Sequence, residues 1–338
     1  MQLLVSVVLE NFRLLRRAMD RGPALEGFQG SSRALPERFV ARMGGRMLHI
    51  DWPERTVRGG LPLPTPSGFC WPDPAGPLWV ASKWGDALLR VEPETGEHQA
   101  LSHPAFNDPH GLEASASNRL LLACSGTDAV HELDHEARPV WSWWGNDNGF
   151  DESPAGARRA DPNDDHRGRR YPTLRRAVHP TCAVPDGDGV LVTSFHGGWL
   201  ARIDRASGEA RLLREDLAQP HGLRRLPPGR IPGASWLLCD TGHRRVLALS
   251  EDFAVVRQWA GSVRWAQDVE VTPRGTLLVL DNLRLRGDMA ADPGNHILEL
   301  DPQGAVVRRM TLPTDWRLFS LRTLSPDRAA RCEGWAGG

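Results

Sequence analysis

One repeated unit constrains this chain more than any other feature. It is clearest from His179 to Leu213, where the runs HPTCAV, GVLVTSF, WLARID and ARLL are separated by PDGDG, HGG and RASGE. Short apolar or alternating runs broken by Gly, Asp and Pro signal successive antiparallel hairpins. The unit recurs along the chain, and an internal repeat of about 40 residues with four strands predicts a β-propeller. A single blade cannot bury both of its faces, so the blades must stack around an axis.

Five complete copies can be read in order. They begin near Pro66 (PSGFCW), at Pro109 (PHGLEAS), at His179, at Pro220 (PHGLRRL) and at Ala266 (AQDVEV). A sixth is split. From Arg38 the pattern RFVARM, RMLHIDW, TVRGGL matches later strands of a blade without a first strand, and RLFSLRTLSP from Arg317 offers the missing piece. Closing the ring with both chain ends removes an exposed sheet edge. The expected fold is thus an all-β, six-bladed propeller of four-stranded antiparallel blades over residues 35–338. Residues 1–34 read as a helical arm and link, with Leu3, Val7, Phe12 and Leu15 sharing a face and Arg13, Arg16 and Arg17 in water.

Composition narrows the function classes. Lys and Arg number 41 against 42 Asp and Glu in 338 residues, so charge makes no case for nucleic acid as a partner. No segment is long and apolar enough to predict a membrane span. The apolar N-terminus lacks a preceding basic region and a small-residue cleavage site, which argues against a signal peptide. Five Cys without close CxxC spacing, two of them inside apolar second strands (Cys124 and Cys239), suit a reduced, cytoplasmic compartment. Thirteen Trp against one Tyr predict bulky packing between sheets.

Alternating strand direction places the starts of first strands and the loops between second and third strands at one end of the propeller. That mouth should carry Ser67, His110, His179, His221, Gln267 and Asp268 from strand starts. The loops should add Lys83, Trp84, Asp128, His196, His243 and, in a long fifth loop, Arg284 and Arg286. Two insertions, 144–178 and 282–295, enter the same face and read as a lid or substrate-facing wall. The first holds Tyr171 among Arg169, Arg170, Arg175 and Arg176, a run that reads as a solvated basic face. His131 and His49 read as structural; His98, His103, His135 and His166 read as surface loops.

His110, His179 and His221 fall at the same apparent position of three consecutive blades. A single such His is more often structural, but three in register can converge on the axis. Three imidazoles with room for water or substrate suit a catalytic divalent transition metal, with zinc, copper and iron all open. His196 or His243 would then serve as fourth ligand or proton-transfer group, and His221 is also the candidate nucleophile. Three neutral imidazoles can equally bind an anion or shuttle protons. Asp204, Asp240, Asp281 and Asp301 read as turn caps. No phosphate loop, GxSxG or HExxH occurs.

CDTGHRRVLALS resembles the strand signature of NHL repeats. DPHGLEASASNRLLLACSGTDAVHELDHEARPVWSWW, AVHPTCAVPDGDGVLVTSFHGGWLARIDRASG and QPHGLRRL followed by LLCDTGHRRV resemble, in order, the His motifs of arylsulfotransferase-like propellers. That resemblance covers about Pro109 to Gln258 and implies sulfuryl transfer with His221 as nucleophile. The Arg implied after the second motif is replaced by His196, which favours a metal; three channel His also hold zinc in peptidylglycine lyase propellers. The expectation is therefore a metal-dependent enzyme acting on a small molecule or peptide, as in natural-product tailoring. The alternatives are sulfuryl transfer and a non-catalytic binding propeller.

Overall fold

The computed structural model describes residues 1–11, 42–115, 118–156, 160–283 and 294–335. Among these, six antiparallel sheets of four strands form the expected blades. Blade 1 runs from strand Pro66–Cys70 to His98–Leu101, blade 2 from Pro109–Ala114 to Pro139–Trp144, and blade 3 from Pro180–Asp186 to Ala210–Arg214. Blade 4 runs from His221–Arg225 to Val255–Ala260, and blade 5 from Ala266–Val271 to Val306–Leu312. First strands touch those of both neighbouring blades all the way round, and Arg317–Leu324 returns to Pro66–Cys70 to close the ring.

Blade 6 uses both ends of the chain, but not as the sequence suggests. Its order is Arg317–Leu324, Gln2–Leu9, Arg46–Asp51, Thr56–Pro62. Gln2–Leu9, expected as the start of a helix, is the second strand; Val5 pairs with Leu48 on one side and Leu321 on the other. Leu3, Val5 and Val7 pack towards blade 5 beside Leu278 and Ile297, while Leu4 packs towards blade 1 beside Phe69 and Val80. A strand covered on both faces reads as a continuous apolar run, and periodicity cannot tell that from a buried helix. Phe12 and Leu15, the rest of the expected arm to residue 34 and most of RFVARM lie outside the described residues.

The Trp excess has a structural use. Trp143 and Trp141, on the outer strand of blade 2, donate their indole N–H to Gly208 O and Arg205 O of blade 3. Trp259 of blade 4 reaches Pro302 O of blade 5, and Trp52 of blade 6 reaches Glu299. Each ring buries apolar area while its one donor ties a blade to its neighbour.

Two local features shape the mouth. First, the pairing of first with second strand breaks near the mouth in all six blades. It skips between Pro66 and Phe69, Pro109 and Leu112, Pro180 and Cys182, His221 and Arg224, Ala266 and Asp268, and Leu318 and Ser320. Such bulges re-aim side chains. Secondly, Thr65, Asp108, His179 and Gln219 take φ of 44°, 50°, 47° and 49°, each immediately before a proline. Non-glycine residues rarely sit there, so the junctions are strained and held by their surroundings. Close approach of inner strands needs Gly111, whose added Cβ would lie 2.7 Å from Thr181 O.

Candidate functional site in the propeller mouth

The proline junctions correct the expected register of the histidines. His110 and His221 follow their prolines, whereas His179 precedes Pro180. The residue equivalent to His110 and His221 in blade 3 is Thr181, and His179 occupies the strained position held by Asp108 and Gln219 elsewhere. The three imidazoles nevertheless come together. Ring centroids of His110 and His221 are 5.5 Å apart, and those of His110 and His179 are 5.9 Å apart. His196 lies 5.3 Å from His179. Phe195 stacks on His179 at 4.7 Å and also packs edge-on against His221 at 5.5 Å.

Hydrogen bonds define what each ring presents. His110 Nδ1 lies 3.0 Å from Thr181 O, and His221 Nδ1 lies 2.9 Å from Gln219 O and 3.1 Å from Thr241 Oγ1. A carbonyl only accepts, so in the neutral rings Nδ1 carries the proton and Nε2 keeps its lone pair. His196 is the reverse: its Nε2 donates to Thr173 O at 2.7 Å. His179 Nδ1 is buried and has no hydrogen-bond partner among the described residues. Its backbone N–H, with those of Ala177 and Val178, is bound by the Asp128 carboxylate. That one side chain fixes the entry into blade 3.

The electrostatics favour neutral imidazoles. Burial pushes the His221 pKa down to about 3, and burial followed by Lys83 holds His110 well below its ordinary value. His179 is lowered by burial, then by Arg176. Lys83 depresses all three. Its ammonium pairs with Asp108 at 2.8 Å and lies 5.3 Å over the Phe319 ring, which itself packs 4.5 Å from His110. Arg176 pairs with the same Asp108 and bonds Tyr171 O. Burial works to raise the Asp108 pKa, but Arg176 and Lys83 together hold the carboxyl below the usual carboxylate range.

The insertion after blade 2 is a fixed wall over its described length, 145–156 and 160–178. Asp86 accepts from Gly168 N and pairs with Arg170 at 3.1 Å, and Arg170 also reaches Trp84 O. His166, expected at the surface, is 1 % exposed and bonds Tyr171 Oη at 2.7 Å and Asp161 O at 2.8 Å. The basic run is therefore only half solvated: Arg170 and Arg176 are drawn in by Asp86 and Asp108, whereas Arg169 pairs with Asp164 outside. Buried carboxylates on the blades decide which arginines turn inward.

Other expected residues separate from this cluster. His243 bonds the Asp240 carboxylate at 2.9 Å with half its side chain exposed. Asp268 belongs to the channel floor, where Arg224 spans Asp268 and Glu113 and Arg322 also reaches Glu113. Arg284 and Arg286 lie outside the described residues. Asp204 and Asp301 cap turns as expected, but Asp240 and Asp281 instead bind the entering amides of Ala218, Arg264 and Trp265. Asp108, Phe195, Trp265 and Phe319 were not legible as site residues. The adjacency of Asp108 to Pro109–His110 and of Phe195 to His196 was the available signal.

Among the described residues, no group of three His, Cys, Asp or Glu side chains is placed to hold a metal ion. The donors themselves have suitable chemistry: two Nε2 lone pairs and the unpartnered His179 Nδ1. Against a metal stand the Phe195 ring, packed against both His179 and His221, and the neighbouring cations Lys83 and Arg176. No helix among the described residues is long and apolar enough to cross a membrane.

No protein-family model matches the chain, and no curated protein sequence matches it. Solved structures do. The chain is similar to a chain of a nidogen/laminin complex, at 11% identity and TM-score 0.59 over 95% of this chain and 97% of that one. It is similar to a protein of unknown function from Bacteroides caccae, at 12% identity and TM-score 0.57 over 92% and 93%. A streptogramin B lyase aligns at 10% identity and TM-score 0.52 over 80% and 76%. At these identities the likeness shows the fold alone. The function must therefore be argued from the site.

Proposed function

We propose that the chain is an enzyme acting on a small molecule in the propeller mouth, with neutral His221 and His110 carrying the chemistry. One arrangement supports this reading above others: both rings spend Nδ1–H on a backbone carbonyl and keep a free Nε2 beside the same partly buried ammonium, Lys83. A neutral imidazole held in one tautomer can take a proton from substrate or attack it as a nucleophile. Lys83, fixed by Asp108, can then stabilise an oxygen that becomes negative in the transition state. The streptogramin B lyase neighbour makes lyase chemistry on such a scaffold a fair first assay class. A panel of lactones, activated esters and eliminable substrates is the test. Any turnover found should fall by about 10²–10⁴ in His221→Ala. Turnover that survives the His110→Ala/His221→Ala double variant would place the reaction elsewhere.

The second reading keeps a divalent transition metal, and the unpartnered His179 Nδ1 beside two free Nε2 atoms favours it. His110, His221 and His179 would hold the ion, which would supply Lewis acidity. The carbonyls of Thr181 and Gln219 would orient the first two rings. Elemental analysis of untagged protein separates the readings. About one equivalent of metal, lost in the double variant, supports the metal; none after soaking with zinc, copper and iron removes it.

A further inference from the structure

The wall over the mouth contains the one Tyr of the chain, and the proposed chemistry does not use its phenol. Tyr171 Oη lies 2.7 Å from His166 Nδ1, and His166 Nε2 lies 2.8 Å from Asp161 O. A backbone carbonyl only accepts, so Nε2 carries the proton of the neutral ring and Nδ1 keeps its lone pair. The phenol O–H is therefore the donor of the 2.7 Å bond. The Arg169 guanidinium, held by Asp164 at 2.8 Å, also hydrogen-bonds the Tyr171 side chain. The imidazole cannot turn away. His166 is buried, its backbone N–H donates to Pro104 O and its carbonyl accepts from Asn107 Nδ2. Tyr171 is only partly buried, so its ring can be approached from solvent.

A phenol holds its proton firmly at neutral pH. Loss of one electron turns it into a strong acid, and the proton must leave with the electron. A base already at hydrogen-bond distance and fixed in the accepting tautomer takes that proton without waiting for buffer or hydroxide. We infer that Tyr171 and His166 form a proton-coupled redox pair that gives one electron to an outer-sphere oxidant. The electron passes to the oxidant and the phenol proton crosses to His166 Nδ1. The products are a neutral phenoxyl radical, an imidazolium whose Nε2–H stays on Asp161 O, and the reduced oxidant. Return of an electron sends the proton back to Oη, and no bond between heavy atoms changes. Trp144, whose ring lies 5.9 Å from that of His166, is near enough to pass an oxidising equivalent to the pair. This role is independent of the imidazoles in the mouth.

The test uses the full chain and hexachloroiridate(IV), an outer-sphere one-electron oxidant, in stopped flow at pH 7 with freeze-quenched samples for EPR. The unaltered protein should give a phenoxyl radical that is absent from Tyr171→Phe. The kinetic phase lost in Tyr171→Phe should be at least tenfold faster than oxidation of free N-acetyltyrosinamide. It should also keep its rate as phosphate buffer is raised, whereas the free compound, which must give its proton to buffer, should speed up. His166→Gln should slow the phase and make it follow the phosphate concentration. A Tyr171 phase no faster than the free compound, or one that rises with phosphate in the unaltered protein, overturns the inference whether or not His166→Gln folds. Absence of a phenoxyl signal from the unaltered protein does the same.

Discussion

At the scale of residues, the site is governed by groups kept uncharged or paired by burial. His110, His131, His179 and His221 all lie buried with pKa values pushed down, to about 3 for His131 and His221. In the unfolded chain they titrate near 6.5. Below that pH the unfolded chain binds protons that the folded one refuses, so stability falls as pH drops from about 6.5 towards about 3. Each such group adds a slope of up to about 1.4 kcal/mol per pH unit. Asp108 acts in the same sense lower down. Its folded pKa is depressed, so its contribution is present above about 4 and is lost as pH falls further. Urea unfolding should show a clear loss of stability between pH 7 and pH 4.5, and His221→Gln should flatten it. A stability that is level across that range would refute the neutral-imidazole account. The histidines were legible as a set because their short motifs repeat. Their register was misread because HPTC and PHGL look alike until the proline is taken as the reference point.

Among the elements, Gln2–Leu9 matters most. It pairs on both sides inside blade 6 and buries alternate residues against two neighbouring blades. Leu4→Ala should therefore cost about 2–5 kcal/mol in chemical denaturation, as for a core leucine. A peripheral helical arm would lose a few tenths. The apolar run LLVSVVL was visible in the sequence, but its partners, Arg46–Asp51 and Arg317–Leu324, lie 37 and 308 residues further along, counted from Leu9 to Arg46 and from Leu9 to Arg317. Local pattern contains no record of such distant pairing. The wall over the mouth was legible only as a long insertion. Its fixed path depends on Asp86, Asp108 and Asp128, whose carboxylates act at a distance along the chain.

For the whole molecule, the ring of first strands leaves an axial channel whose floor is an ion network. Arg224 bonds Asp268 at 3.1 Å through Nε and pairs with Glu113, while Ser320 Oγ and Leu321 N also reach Asp268. Burial pushes Glu113 and Asp268 up, against the pull of Arg224. Removing the cation leaves the buried Asp268 and the partly exposed Glu113 with Arg322 as the remaining cation beside them. Arg224→Met should cost about 3–5 kcal/mol in urea unfolding. A loss under about 1 kcal/mol would mean that the network is solvated rather than buried. Glu113, Arg224 and Asp268 of this network line one small cavity together with His110 and His221.

The repeat of short strands and turns by itself determined six blades, their order and the use of both termini in the last. Those are consequences of local chain chemistry repeated along the sequence, since each hairpin is made by its own turn residues. It also determined which end of each blade carries the histidines, because strand direction alternates. Only the tertiary structure decided that His179 sits two positions out of register, that Gln2–Leu9 is a strand and that Arg170 and Arg176 turn inward. Each of those outcomes depends on a partner from another blade (Asp128, Arg46–Asp51, Asp86, Asp108), and burial beside that partner outweighs what the local sequence prefers.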